Sequence, residues 1–264
     1  MVCTSTVWNQ LSNRILSVDR IREVDRIAVE RFGMHSLVLM ENAALVCVRW
    51  LEQHLPDARE AVVLCGRGNN GGDGLAIARH LRVLGWVCRV VVLGPIHKMS
   101  ADARANLEIL LAGGGSDLLL WDETSGDVVE GSESREASAS ERKTPPKENE
   151  LRMQLIEWLA ESNVVIDAML GTGATGEPKE PLSDWIALAN QAVTRRIAID
   201  IPTGWNATTG DESVNTFRAD ATLTFVARKP AMALPTAGRV LGEIVVLPIG
   251  IPEELIQELL ATDG

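Results

Sequence analysis

Three short segments concentrate the groups able to do chemistry, and each follows an apolar run. Gly66-Arg67-Gly68-Asn69-Asn70-Gly71-Gly72-Asp73-Gly74 interleaves five glycines with two amides and a carboxylate. The second runs from Asp167 through Gly171-Thr172-Gly173-Ala174-Thr175-Gly176-Glu177 to Pro178, and the third is Asp200-Ile201-Pro202-Thr203-Gly204-Trp205-Asn206. Glycines ahead of a helix let backbone N–H groups approach a phosphate. Asp167 closes an apolar strand, where it has no in-strand partner and is costly to bury without compensation. Asp200 stands again at a strand end, where a capping turn alone would also account for it. Asn70, Asp167 and Thr203 together offer hard oxygens, which suit an alkali or alkaline-earth cation rather than zinc.

The first segment contains GxGxxG at Gly66, Gly68 and Gly71, between a predicted strand and a predicted helix. A dinucleotide fingerprint also needs an acid ~20 residues on, at the end of the next strand, to hold the ribose. That strand ends Val92-Leu93-Gly94-Pro95, without one. No lysine follows the paired glycines, so the P-loop pattern fails as well.

The elements that must position these loops read as an alternation. Ser17–Phe32 and Ser36–His54 carry apolar residues at helical spacing. Strands are expected at Ala61–Cys65, Trp86–Leu93, Asp117–Trp121, Val164–Ile166, Ile197–Ile199, Ala221–Phe225 and Glu243–Leu247. Helices are expected at Leu75–Leu84, Ala101–Leu111, Leu151–Ala160 and Pro181–Ala192. Strand-loop-helix alternation predicts an α/β fold, a three-layer α/β/α Rossmann-like sandwich with a mostly parallel sheet and two N-terminal helices. Ligands bind outside the carboxyl ends of the strands in such sheets, where all three segments fall.

In the 264 residues, 46% are hydrophobic and 23% charged, enough for one sizeable core. Residues 1–16 read as an N-terminal extension and 17–264 as a single domain, interrupted at 122–150. Nine acids, four bases and the Pro145–Pro146 pair in that stretch predict a solvated surface excursion. The net charge of −11 argues against nucleic acid as a partner, because phosphate backbones need a basic face. No run approaches the ~18 apolar residues of a membrane span, and Met1–Leu16 lacks the pattern of a signal peptide. Cys3, Cys47, Cys65 and Cys88 form no CxxC pair, and three sit in apolar runs, as expected of free thiols in a reducing cytoplasm. The four histidines have no ligand spacing. Of the seven tryptophans only Trp205, inside the third segment, is placed to touch a ligand. Lys229, in the Arg-Lys-Pro turn, reads as a solvated lysine, with reach to a phosphate as the alternative.

At these loops the sequence resembles the YjeF N-terminal domain family, the NAD(P)H-hydrate epimerases. LMENAA (Leu39–Ala44), GRGNNGGDGLAIARHL (Gly66–Leu81), DAMLGTG (Asp167–Gly173) and AIDIPTGWNATTG (Ala198–Gly210) carry the likeness. ADATLTFVARKPAM (Ala219–Met232) and GEIVVLPIGIP (Gly242–Pro252) extend it. The resemblance implies an isomerase for nicotinamide-nucleotide repair. It would interconvert the R and S epimers of NADHX and NADPHX, cofactors hydrated at C6 of the nicotinamide ring. Asn69, Asn70, Gly71, Gly72 and Asp73, with Gly171, Thr172, Gly173, Ala174, Thr175, Gly176 and Glu177, would bind substrate. Asn70, Asp167 and Thr203 would hold a potassium ion, and Asp200 would contact the nicotinamide end and act as catalytic acid/base. A separate S-specific NAD(P)HX dehydratase would complete the repair.

Two residues depart from the family pattern: Ala44 stands where Gly is common, and Thr203 stands where Ser is usual but keeps the hydroxyl. The alternative is a non-catalytic scaffold of the same fold, which would lack the loop polar groups and carry a basic face. A phosphotransferase or hydrolase would need a P-loop lysine or a nucleophile elbow, and neither is present. The oligomeric state is left open, a homodimer included, as is the preference between NADHX and NADPHX.

Overall fold

The structure is a computed structural model and describes residues 14–114, 117–122, 127–130 and 148–261. Two helices lead, α1 (Val18–Phe32) and α2 (Ser36–His54). Ser17 caps α1, its hydroxyl accepting from Arg20 N, and Gly33 ends the helix in the left-handed region at φ 67°. The alternation then runs β1 (Glu60–Cys65), α3 (Asn69–Val83), β2 (Val87–Leu93), α4 (Ala101–Ala112), β3 (Leu118–Asp122) and β4 (Asp127–Glu130). It continues α5 (Glu148–Glu161), β5 (Val164–Ala168), α6 (Leu182–Gln191), β6 (Arg195–Ile199), β7 (Ala221–Phe225), α7 (Gly238–Leu241), β8 (Glu243–Leu247) and α8 (Glu253–Ala261).

The strands form one sheet in the order β4-β3-β2-β1-β5-β6-β7-β8. Every pairing is parallel except β3 with β4. Central strands are buried on both faces, which is why they read as continuous apolar runs. Val63, Cys65, Val90, Val92, Ile166 and Ile199 face one core with α1–α4 and α8. Their neighbours Val62, Leu64, Val91 and Val165 face the other, with Leu155, Trp158, Trp185 and Ile186 of α5 and α6. The expected three-layer α/β/α fold with two leading helices is the fold observed.

Chain order runs outward from β1 in one direction and from β5 in the other, so the sheet switches direction between them. The loops after β1 and β5 diverge there and open a crevice.

The structure departs from the sequence pattern in four places. The 122–150 stretch is not wholly excursion: residues 127–130 add an antiparallel edge strand to β3, and α5 begins at Glu148. Residues 123–126 and 131–147 lie outside the described residues, as do 1–13 with Cys3. Asn69–Gly74 is not a loop; helix α3 starts at Asn69 and includes it. Helices α7, a single turn, and α8 add to the elements expected from the sequence. Of the 1–16 extension, Ile15 bridges Arg228 and Leu16 is buried.

Candidate active site

The glycines after β1 are explained first by packing. A Cβ at Gly66 would lie 1.8 Å from the Met169 carbonyl oxygen, and one at Gly71 would lie 1.9 Å from that of Gly66. At Gly74 it would meet Ala168 Cβ at 2.5 Å, and at Gly72 the Met40 side chain. These residues bring α3 hard against β5 and α2. Gly68, the N-cap of α3, is different: nothing lies within 4 Å of its Cβ direction, and it faces the crevice. The helix therefore presents its first-turn N–H groups, the positive end of its dipole, and the side chains of Asn69 and Asp73 to the crevice, with Asn70 buried in its wall.

That space is a cavity of about 580 Å³. The loop after β5 lines it with Gly171, Thr172, Gly173 and Ala174; the ends of β6 and β7 line it with Asp200, Phe225 and Val226. Helix α1 adds Ile21, Arg22, Asp25 and Val29, one helical face. Arg22 Nη2 donates to the Thr172 carbonyl at 3.1 Å, tying α1 to the β5 loop.

The strand ends carry unusual backbone. Asp200 and Val226 have φ of 65° and 67°, the non-glycine residues with positive φ among those described. Ile201 N donates to the Ile199 carbonyl at 2.8 Å and Ala227 N to Phe225 at 2.7 Å, so each residue is the centre of a γ-turn. The positive-φ γ-turn is the rare, strained form, worth about 1–3 kcal/mol. Strain of this kind at two adjacent strand ends turns Asp200 into the cavity.

Lys229 sits beneath it, fully buried and not solvated as its sequence context suggested. Its ammonium donates to Asp200 Oδ1 and to Thr224 Oγ1, and Thr224 Oγ1 lies 3.4 Å from the same carboxylate oxygen. Asp200 is thus an ion-paired carboxylate with a fixed orientation. Nothing local to Lys229 signals this role beyond its place in the turn after β7, within ADATLTFVARKPAM.

Asp167 and Thr203 are both completely buried behind the cavity. Asp167 accepts from Thr203 N and Thr203 Oγ1, each at 2.7 Å, and from Met169 N at 3.1 Å. Thr203 Oγ1 in turn accepts from Leu170 N at 3.0 Å. Burial pushes the Asp167 carboxyl up to about 6, against the hydrogen bonds from Thr203 and Met169. No arginine or lysine pairs with it among the described residues. Asn70, 8% exposed, has no partner for either its Oδ1 or its Nδ2. A buried amide left wholly unsatisfied asks for a ligand.

The cavity is acidic. Asp25, Asp73, Asp102 and Asp200 line it against Arg22. Burial, then Asp200, Asp25 and Asp102, hold the Asp73 carboxyl well above the usual range, favouring its neutral, hydrogen-donating form.

The remaining expected residues divide. Gly71 and Gly72 are buried inside α3. Thr175, Gly176 and Glu177 do not line the cavity, and Glu177 instead accepts from Val214 N at 3.0 Å. Trp205 packs in a separate cluster with Ile201, Met232 and Val240 and does not line the cavity. His80 joins Arg79 in holding Glu41. Cys47, Cys65 and Cys88 are buried free thiols.

A doubly wound, mostly parallel sheet, with an acid-bearing cavity at its switch point and an ion-paired aspartate at a strand end, defines an α/β enzyme acting on a small molecule. The chain belongs to the family described as YjeF-related protein N-terminus, whose profile matches residues 36–231. It is 34% identical over 92% of its length to a protein of Rhodopirellula baltica named NAD(P)H-hydrate epimerase, covering 87% of it. It is also 34% identical to a Pirellula staleyi protein of that name, over 93% of this chain and 96% of that one. A Pyrobaculum aerophilum protein named bifunctional NAD(P)H-hydrate repair enzyme Nnr is 36% identical over 85% of the chain, which spans 40% of it. The crystal structure of yeast ynu0, YNL200c, shares the fold at a TM-score of 0.68 and 18% identity, with 93% of each chain covered. No helix among the described residues is long and apolar enough to cross a membrane.

Proposed function

We propose that the protein is an NAD(P)H-hydrate epimerase that interconverts the R and S epimers of NADHX and NADPHX. The observation that carries the reading is the Asp200–Lys229 pair, set by a strained turn at the lip of a cavity large enough for a nicotinamide nucleotide. Inversion at C6 requires the hydroxyl to leave as water while the N1 lone pair flattens the ring, and water to return on the other face. Asp200, an oriented carboxylate, takes or gives a proton at that oxygen. The N-terminus of α3 and the Gly171–Ala174 backbone supply N–H groups for phosphate oxygens. A basic patch is not needed.

Asn70, Asp167 and Thr203 fit a potassium ion. Among the described residues Asn70 is buried without a partner and Asp167 is a buried carboxylate without a counter-charge, and all three offer oxygen. Bound there, potassium would supply positive charge beside the substrate's phosphates and offset the acidic wall. An S-specific dehydratase would consume the product, in keeping with relatives named as bifunctional NAD(P)H-hydrate repair enzymes; the cytoplasm would be the compartment.

The test mixes epimeric NADHX with an S-specific dehydratase and potassium. The protein is expected to carry the R half to completion; no acceleration over spontaneous epimerisation would refute the reading. The scaffold alternative requires lost loop polar groups, whereas Asn70, Asp167, Asp200 and the Thr203 hydroxyl are all present.

A further inference from the structure

Asp200 is pinned. Its backbone is held in a γ-turn, and its carboxylate is tethered to Lys229 and Thr224. The departing and returning oxygens lie on opposite faces of the ring, and a fixed carboxylate serves one face. A second proton-handling group must line the cavity from another wall. Helix α1 provides one: Asp25, flanked by Ile21, Arg22 and Val29 on the face that lines the cavity. This helix precedes the segment matched by the family profile.

We propose that Asp25 is a second catalytic acid/base, serving the face of the nicotinamide ring opposite Asp200. The proposal rests on the epimerase reading above. In one direction Asp25, protonated, donates to the C6 hydroxyl. The C6–O bond breaks with its pair leaving on water, and the N1 lone pair forms N1=C6. A water then bonds C6 from the other face, its proton passes to the Asp200 carboxylate, and the pair returns to N1. Asp25 ends ionised and Asp200 protonated, the state that runs the reverse reaction. Proton transfer through cavity water resets the pair, and nothing is oxidised or reduced.

The surroundings suit the role. Asp25 is accessible to water through the cavity it lines, yet crowded by protein. Burial, then Asp200, push its carboxyl up to about 6, against the lowering influence of Lys229. A group poised near the working pH both gives and takes a proton. No ion-pair partner occupies it among the described residues. The charged groups facing it are Asp200 and Lys229 from the strand ends, Asp73 from α3, Asp102 from α4, and Arg22 from its own helix. On α8, packed against α1, Glu258 is taken by Arg31. Asp73 experiences three acids and no cation, which suits a fixed donor rather than an exchanging one.

The experiment compares wild type, Asp25→Asn, Asp25→Glu and Asp73→Asn in the coupled epimerase assay, with melting temperature and a pH profile. Asp25→Asn is expected to lower kcat by about 100-fold or more while KM stays within about three-fold. Its melting temperature should not fall, since a like charge is removed. A profile limb near pH 6 should vanish with it. If Asp25→Asn melts early, Asp25→Glu decides: restored activity supports the role and none overturns it. Near wild-type kcat in Asp25→Asn, a change confined to KM, or a loss found only in Asp73→Asn each overturns it. An inactive wild type would instead refute the epimerase reading.

Discussion

The segment after β1 and the strand ends of β6 and β7 meet in the same cavity and are built on opposite principles. After β1, glycine stands where backbone from β5 or a side chain from α2 approaches too closely for a Cβ. At Asp200 and Val226, side chains are retained although a positive φ favours glycine. A glycine-rich motif therefore marks close packing at least as much as ligand contact, and strain in non-glycine residues marks the chemistry. The amides between the glycines, Asn69 and Asn70, are what the first segment offers a ligand.

The sharpest break in that comparison is at Gly66 and Gly71. Gly66→Ala and Gly71→Ala should each lose several kcal/mol, because backbone oxygens at under 2 Å must move. Gly68→Ala, in open space, should stay within about 0.5 kcal/mol of wild type by urea melts. Equal stability of the three variants would remove the packing account.

Next in size is the buried ion pair. Lys229→Met should cost about 3–5 kcal/mol, since it strands the Asp200 carboxylate. Combining it with Asp200→Asn should recover much of the stability and none of the activity. Additive losses in that double-mutant cycle would show that the pair is not coupled.

Potassium should stabilise by about 1–3 kcal/mol at pH 7.5 and much less at pH 5, read as a shift in melting temperature at fixed ionic strength. The sign follows from Asp167. Its folded carboxyl is raised from 3.8 to about 6, so the folded state binds the extra proton between those values. Without the cation, stability falls as pH rises through that window, by on the order of 3 kcal/mol for this fully buried group. A cation that needs the ionised form offsets the loss only above pH 6. Asp167→Asn should abolish the difference; a potassium shift that persists in it would place the ion elsewhere.

The smallest effect is expected at Val226. Val226→Gly relieves about 1–3 kcal/mol of strain and loses about 1.5–3 kcal/mol of burial, leaving stability within about 2 kcal/mol of wild type by urea melts.

Much of this architecture was legible because parallel strands buried on both faces must be continuous apolar runs, and Ala61–Cys65 and Ala221–Phe225 read that way. That Asn70 and Asp200 line one cavity, with Asp167 and Thr203 hydrogen-bonded to each other behind it, follows from their position after strands of one sheet. What was hidden depends on long-range pairing. Lys229 is identical in sequence to a solvated lysine, and only the Asp200 side chain above it makes burial tolerable. Val128 and Val129 lie among charges, and their strand exists because β3 offers an open edge. Asn69–Gly74 reads as a loop because its glycines are poor helix formers, yet contact with β5 and α2 selects them within a helix.

The most direct measurement is the rate of R-to-S NADHX conversion by Asp200→Asn in potassium, alongside wild type of matched melting behaviour. Loss of at least about 100-fold with the fold intact is the predicted result. Full activity in Asp200→Asn would contradict the central claim that chemistry is done at this strand end.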